Sequence, residues 1–241
     1  MIPKIIHYCW FGHNPLPPFA IKCIESWRKF LPEYEIREWN EDNFDVNIIP
    51  YTNEAYRLKK YAFVSDYARF WILYNYGGLY FDTDVELIRP IDDIIKRGPF
   101  MGVEAGHEGE NDLIVNPGLG LGCYPNHDFY KKVLDDYALD HFATWNGKYT
   151  GNICGRVSNI LNADKNKYYV DGLLNVKGIF IYPADYFCPI SYYTGECHIT
   201  DNTRTIHHYT ATWKSPGGSI LFKMRKRMMY MSARFFSTIH K

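Results

Sequence analysis

A helical run that stops at two glycines and resumes as three apolar residues ending in two acids frames everything else in this chain. It reads Tyr74-Asn75-Tyr76-Gly77-Gly78-Leu79-Tyr80-Phe81-Asp82-Thr83-Asp84-Val85. Paired glycines end a helix readily, because they reach backbone conformations closed to other residues. Leu79, Tyr80 and Phe81 then read as a buried strand, and acids at the end of such a strand stand where open α/β sheets bind ligands. Strand side chains two apart project the same way, so Asp82 and Asp84 are expected to converge. Two convergent carboxylates repel unless a cation lies between them, and a divalent metal with oxygen ligands suits that position. For D-x-D alone, a solvated Asp-rich turn is the plain alternative.

The flanking segments build the rest of an α/β domain. Residues 2–11 are β-branched and aromatic, a first strand; residues 19–30 carry helical spacing and end at Pro32; residues 34–39 alternate as a second strand. Strand, helix, strand at this spacing is a βαβ unit and predicts a parallel sheet flanked by helices. Asn40-Glu41-Asp42 reads as a helix-capping turn. Residues 53–76 form the longest helical pattern, broken once. Asp66 and Arg69 stand three apart on one of its faces. A surface pair of this kind contributes almost nothing, but this helix is apolar nearly all round, so the pair is expected to be buried and functional.

Beyond the acids, residues 85–88 and 100–103 read as strands, with a short helix starting near Asp92. Residues 104–112 read as a polar, Gly-rich loop. The Gly-dense segment 116–122 lacks G-x-G-x-x-G spacing, so it is expected to approach a ligand or packed neighbours closely rather than cradle phosphate. Helices are expected at 128–137 and from 150 to 161, and strands at 168–176, 179–182 and 205–209. His207 and His208 end the last of these. Neighbours on a strand face opposite ways, so only one can join the acids as an imidazole ligand. Residues 217–241 read as a basic helix with an apolar stripe, the profile of a segment lying on an anionic membrane surface; packing on the domain is the alternative.

Composition narrows the function classes. Lys plus Arg and Asp plus Glu each number 27, so no global field favours nucleic acid. The 21 tyrosines suit surfaces for bases and sugar rings, and equally well a packed core. Six cysteines without a C-x-x-C spacing read as reduced, mostly buried thiols. With neither a signal-peptide profile nor an apolar run of membrane length, a cytoplasmic protein is expected, peripheral on the membrane if its tail binds.

Four blocks, in order along the chain, resemble one known family. They are residues 2–12, Ser65-Asp66-Tyr67-Ala68-Arg69, Gly77-Gly78-Leu79-Tyr80-Phe81-Asp82-Thr83-Asp84, and His207-His208 with Trp213. The family is glycosyltransferase family 32, the D-x-D sugar-binding transferases. The resemblance implies a single GT-A domain over residues 1–216 with a helical tail at 217–241, a nucleotide-sugar donor, Mn²⁺ or Mg²⁺, and retention of anomeric configuration. It implies that Trp10, with Tyr8 beside it, meets the base, that Asp66 and Arg69 hold the donor sugar, and that Trp213 lies near the diphosphate. Asp82 and Asp84 then bind metal, joined by His208 by analogy with related enzymes, and Asp66, Arg69 and Asp84 form the catalytic group. Thr150-Gly151 resembles an acceptor-side segment in which Asn152 replaces a proline.

The implied activity is transfer of a hexose, from a UDP-sugar by preference, to a glycan or lipid-linked oligosaccharide in bacterial capsule or O-antigen synthesis. The alternatives are a non-catalytic sugar-nucleotide or glycan-binding protein, and a phosphohydrolase of the D-x-D-x-T/V type, which Glu86 disfavours.

Overall fold

The computed structural model describes residues 1–104, 113–143, 152–191 and 195–210. Strand β1 (Ile5–Cys9) is buried along nearly its whole length. Helix α1 (Pro18–Phe30) opens on a proline, whose missing N–H is no loss in a first turn, and buries Ala20, Cys23, Ile24 and Trp27. It returns the chain to β2 (Glu35–Trp39), parallel to β1, so the expected βαβ unit forms.

Asn40-Glu41-Asp42 does not cap a helix. It is a turn held by its own amides, with the Asp42 N–H donating to Asn40 Oδ1 and the Asn40 N–H to Asn43 Oδ1. Helix α2 (Pro50–Arg57) begins eight residues beyond Asp42, at a proline whose fixed φ suits a first turn. The single break expected in the long helical pattern falls at Leu58–Lys60, where Lys59 adopts a left-handed conformation, and α3 (Tyr61–Tyr76) follows.

Gly77 caps α3, and β3 (Gly78–Tyr80) starts at once. A side chain at Gly78 could not fit: its Cβ would lie 2.6 Å from the Ile5 carbonyl of β1, and its φ is +99°. His7 locks this corner. It accepts from the Trp39 indole N–H at 3.0 Å and, through Nε2, donates to the Gly77 carbonyl at 2.9 Å. Burial drives the His7 pKa down to about 4, so the ring is neutral and the assignment of donor and acceptor is fixed.

Next come β4 (Val85–Leu87), α4 (Asp92–Arg97), β5 (Phe100–Gly102), β6 (Leu121–Cys123), α5 (Asp128–Tyr137) and α6 (Ile153–Asn162). The described chain closes with β7 (Lys167–Val170), β8 (Leu173–Val176), β9 (Ile179–Tyr182), α7 (Ala184–Phe187) and β10 (Thr205–His207). One eight-stranded sheet runs β2-β1-β3-β6-β5-β9-β8-β7, and β10 pairs with β4 in a separate antiparallel ribbon.

The sheet is mixed, not parallel throughout. β2, β1 and β3 are parallel, as are β5 and β9, but β6 runs against both its neighbours and β7–β8–β9 is an antiparallel meander. The two-residue turns Asp171-Gly172 and Lys177-Gly178, all four at positive φ, dictate that meander, because so short a link joins only antiparallel strands. The same Asp-Gly turn divides in two the single strand expected over 168–176.

Alternation along β3 sorts the core. Leu79 and Phe81 join Ile6, Ile24 and Trp27 on the α1 face, while Tyr80 joins Val64, Ala68 and Phe129 on the face of α3 and α5. The fold is therefore α/β, with helices on both faces of one sheet and the acids just beyond the C-terminal end of β3. None of the six cysteines, all of them described, forms a disulfide. Among the described residues no helix is long and apolar enough to cross a membrane. The loop 105–112, Thr150-Gly151, Trp213 and the tail 217–241 lie outside the described residues.

Candidate active site

The two acids do not share a strand face. β3 ends at Tyr80, and Asp82–Asp84 form a turn into β4 closed by the Val85 N–H donating to the Asp82 carbonyl at 3.0 Å. Leaving the strand cancels the alternation that was to align the carboxylates, so each acid has its own set of partners.

Asp82 faces α3. Arg69, 3% exposed, directs its guanidinium between two acids: Nη2 lies 2.9 Å from Asp66 Oδ1 and 3.3 Å from Asp82 Oδ1. The guanidinium also sits 4.8 Å from the centre of the Tyr80 ring, whose hydroxyl donates to Asp82 Oδ1 at 3.1 Å. Its Nε donates to the Ser65 carbonyl, so the fork is held from behind. Burial, with the Asp82 carboxylate nearby, pushes the Asp66 carboxyl up to about 7 in spite of Arg69. Arg69 itself stays charged, since its acidic partners outweigh its burial.

The Gly-dense segment closes the other side of Asp82. The Asp82 N–H donates to the Gly118 carbonyl at 3.2 Å, and a Cβ at Gly118 would lie 2.1 Å from Asp82 Oδ2. Close backbone approach, not phosphate binding, is thus what Gly118 permits.

Asp84 faces β10. Its Oδ1 lies 3.1 Å from His207 Nε2, and its Oδ2 accepts from both the N–H and the hydroxyl of Thr210, at 2.7 and 2.8 Å. Burial works to raise the Asp84 pKa, but the charge and hydrogen bond of His207 and the two bonds from Thr210 outweigh it and hold the carboxyl well below its usual range.

The histidine beside the acids is His207 and not the expected His208. His208 turns to the opposite side of the ribbon, where its Nε2 is 2.9 Å from Glu86 Oε2 and its ring meets Phe19 edge-on. The choice follows from register. His207 pairs with Val85, the residue after Asp84, and strand alternation sends its neighbour the other way.

The remaining expected residues are dispersed. Tyr8 is buried against Trp27 and donates its hydroxyl to Glu38 at 2.6 Å, so it faces the core on the α1 side. Trp10 is half-buried at the end of β1 and donates its indole N–H to the Asn14 carbonyl. Asn152, found where the related segment has proline, caps α6 by accepting from the Gly155 N–H at 2.7 Å.

Three contributors are invisible to sequence reasoning: Tyr80, Thr210 and Tyr209. Tyr209 adopts a left-handed φ of +47°, sets its ring tilted against that of His207 with centres 4.2 Å apart, and is held by Cys188 Sγ and by Glu104, to which its hydroxyl donates. That kink turns Thr210 back onto Asp84.

Among the described residues no three His, Cys, Asp or Glu side chains converge as a finished metal cluster. The donors nevertheless suit a hard divalent cation. Asp84 is held ionised, Asp82 keeps a partly exposed carboxylate, and the buried His207 Nδ1 has no hydrogen-bond partner among the described residues.

Parts of the chain are similar to known proteins. Residues 17–101 match the family model described as a glycosyltransferase sugar-binding region containing a DXD motif. Mannosyl phosphorylinositol ceramide synthase CSH1 of Saccharomyces cerevisiae is 28% identical over 146 residues, covering 59% of this chain and 36% of that protein. Inositol phosphoceramide mannosyltransferase 1 of Schizosaccharomyces pombe is 30% identical over 111 residues, 42% of this chain and 33% of the relative. The chain therefore spans about a third of the length of the curated relatives it matches. A solved glycosyltransferase involved in glycosylation of the major capsid of PBCV-1 covers 95% of this chain and 100% of its own, at 12% identity and a TM-score of 0.48. Arg69 and Asp82-Thr83-Asp84 lie inside the span that is similar to the glycosyltransferase sugar-binding region containing a DXD motif.

Proposed function

We propose that this chain is a metal-dependent, retaining glycosyltransferase that moves a hexose from a nucleotide-diphosphate sugar to a glycan or lipid-linked acceptor. The observation that carries this reading is the buried Arg69, held between Asp66 and Asp82 at the same sheet end as the Asp84–His207–Thr210 cluster. A buried guanidinium with two acids offers fork-like donors and carboxylate acceptors, which suit the hydroxyls of a sugar ring and the oxygens beside it.

Asp82, Asp84 and His207 are the residues that would hold the cation. Such an ion neutralises charge on a diphosphate leaving group. Arg69 orients Asp66 and Asp82 toward the donor sugar, and Thr210 and Tyr209 keep the Asp84 carboxylate and the His207 ring in place. In the transfer the bond from the anomeric carbon to the diphosphate oxygen breaks, and the acceptor oxygen bonds to that carbon from the same face. The hydroxyl proton passes to the departing phosphate. Among the described residues no carboxylate stands out as a covalent nucleophile, and front-face transfer is the form proposed.

The mannosyltransferase names of the relatives put a mannose donor beside the UDP-hexoses, and their ceramide names support a lipid acceptor. Bacterial capsule or O-antigen assembly is the setting proposed, with a UDP-hexose as its donor. Incubation with GDP-mannose, UDP-glucose, UDP-galactose and UDP-N-acetylhexosamines, with Mn²⁺ and then with chelator, tests the reading. Slow release of free nucleoside diphosphate from one donor, abolished by chelator and by Asp84→Ala, is expected. A metal-dependent thermal shift with no release from any donor would instead favour a binding protein.

A further inference from the structure

A second cleft lies at the opposite end of the sheet from Asp82. β6 runs antiparallel to β3, with Cys123 opposite Gly78, so the residues after β6 emerge where β3 begins. There Tyr124, Asn126, His127 and Asp128 meet Asn166 and Tyr168 around a cavity of about 470 Å³, within the range of small-molecule sites.

Its lining has the chemistry of a saccharide site. Tyr124 and Tyr168 are large rings that are 41% and 53% exposed, flat surfaces on which the apolar face of a pyranose can stack. Asn126, Asn166 and Asp128 add amide and carboxylate groups to meet hydroxyls.

His127 points independently to a ligand. It is 5% exposed, and its Nδ1 accepts from the Phe129 N–H at the start of α5. Burial lowers its pKa, so the ring is neutral and the proton sits on Nε2. That N–H faces Gly178 on the cleft wall and has no hydrogen-bond partner among the described residues. Charge argues against a phosphate, because Lys177 is already paired with Asp164 at 3.0 Å and Asp128 adds negative charge.

We propose that this cleft binds a neutral oligosaccharide, with Tyr124 and Tyr168 stacking on its rings and the His127 Nε2–H donating to a hydroxyl. The cleft's chemistry does not depend on the reaction proposed above. Its natural use is to hold a length of glycan chain away from the reacting end.

Saturation-transfer NMR on the full chain with mannotriose, maltotriose and lactose tests it. Transfer to at least one trisaccharide or disaccharide is expected, undiminished by excess UDP, GDP or chelator. Affinity should fall about tenfold in the Tyr124→Ala/Tyr168→Ala double variant and about threefold in Asn166→Ala, all three being sites at the cleft surface. Asp84→Ala should leave this binding intact while abolishing donor turnover, which separates failure of the cleft from failure of the transferase reading. Absence of transfer to all three sugars, displacement by nucleotide, or unchanged binding in both variants would overturn the proposal.

Discussion

Asp82 and Asp84 are separated by one residue yet live in unlike surroundings. Asp82 is tied to a cation from the preceding helix, thirteen residues earlier in the chain, with Tyr80 beside it. Asp84 is tied to a strand more than 120 residues later, through His207 and Thr210. The first half of the site is assembled by a helix, a glycine stop and a strand that are contiguous in sequence. The second exists only once β10 has docked on β4. One motif thus joins a locally built half to a half that depends on long-range closure, and the two should respond differently when disturbed.

The largest contrast is expected in activity. Asp84→Ala should reduce release of nucleoside diphosphate at least about 100-fold in a coupled assay, since it removes the acid best held in its charged form. If Asp84→Ala retains turnover while Asp82→Ala loses it, the emphasis on the β10 half is misplaced.

Stability should show the reverse order. Arg69→Ala would leave Asp66 buried without its counter-charge and should cost about 3–5 kcal/mol in chemical denaturation. A cost near zero would mean that the α3 half is wetter and looser than the hydrogen bonds imply.

Histidine substitutions sharpen the long-range half. His207→Ala should abolish the thermal shift produced by Mn²⁺, whereas His208→Ala should retain it, because His208 serves Glu86 on the far side of the ribbon. Equal behaviour of the two variants would remove the distinction that the β4–β10 register makes.

The smallest effect is a difference in sign with pH. Asp66 is raised from 3.8 to about 7, so between those values the folded state binds more protons than the unfolded and stability falls as pH rises. Glu86, on the β10 side, is lowered from 4.5 to about 2 through its bond with His208, with Lys22 adding to it. There the unfolded state binds more protons, and stability falls as pH drops through that window. Melting temperatures of Asp66→Asn and Glu86→Gln across pH 3 to 8 should each lose one of these slopes, of the order of a few kcal/mol at most.

Much of the first half was legible before any coordinates. The apolar periodicity of α3, the Gly77-Gly78 stop and the buried run Leu79–Phe81 depend on neighbours in the chain, and so did the spacing of Asp66 and Arg69. Strand logic failed one residue too late: it assumed that β3 continued through the acids, whereas the chain turns at Asp82 to reach β4. The Asp-Gly turn inside residues 168–176 carried a clear local signal and was outweighed by the β-rich residues around it.

The sequence by itself determined the α/β class, the order of elements as far as β3, and the presence of two acids beyond a buried strand. Those follow from local propensity and periodicity, which act over a few residues. Tertiary structure alone decided that the sheet is mixed, that Gly118 closes on Asp82, and that His207 and Thr210 rather than His208 attend Asp84. These depend on which strand pairs with which and in what register, and a shift of one residue would exchange the two histidines.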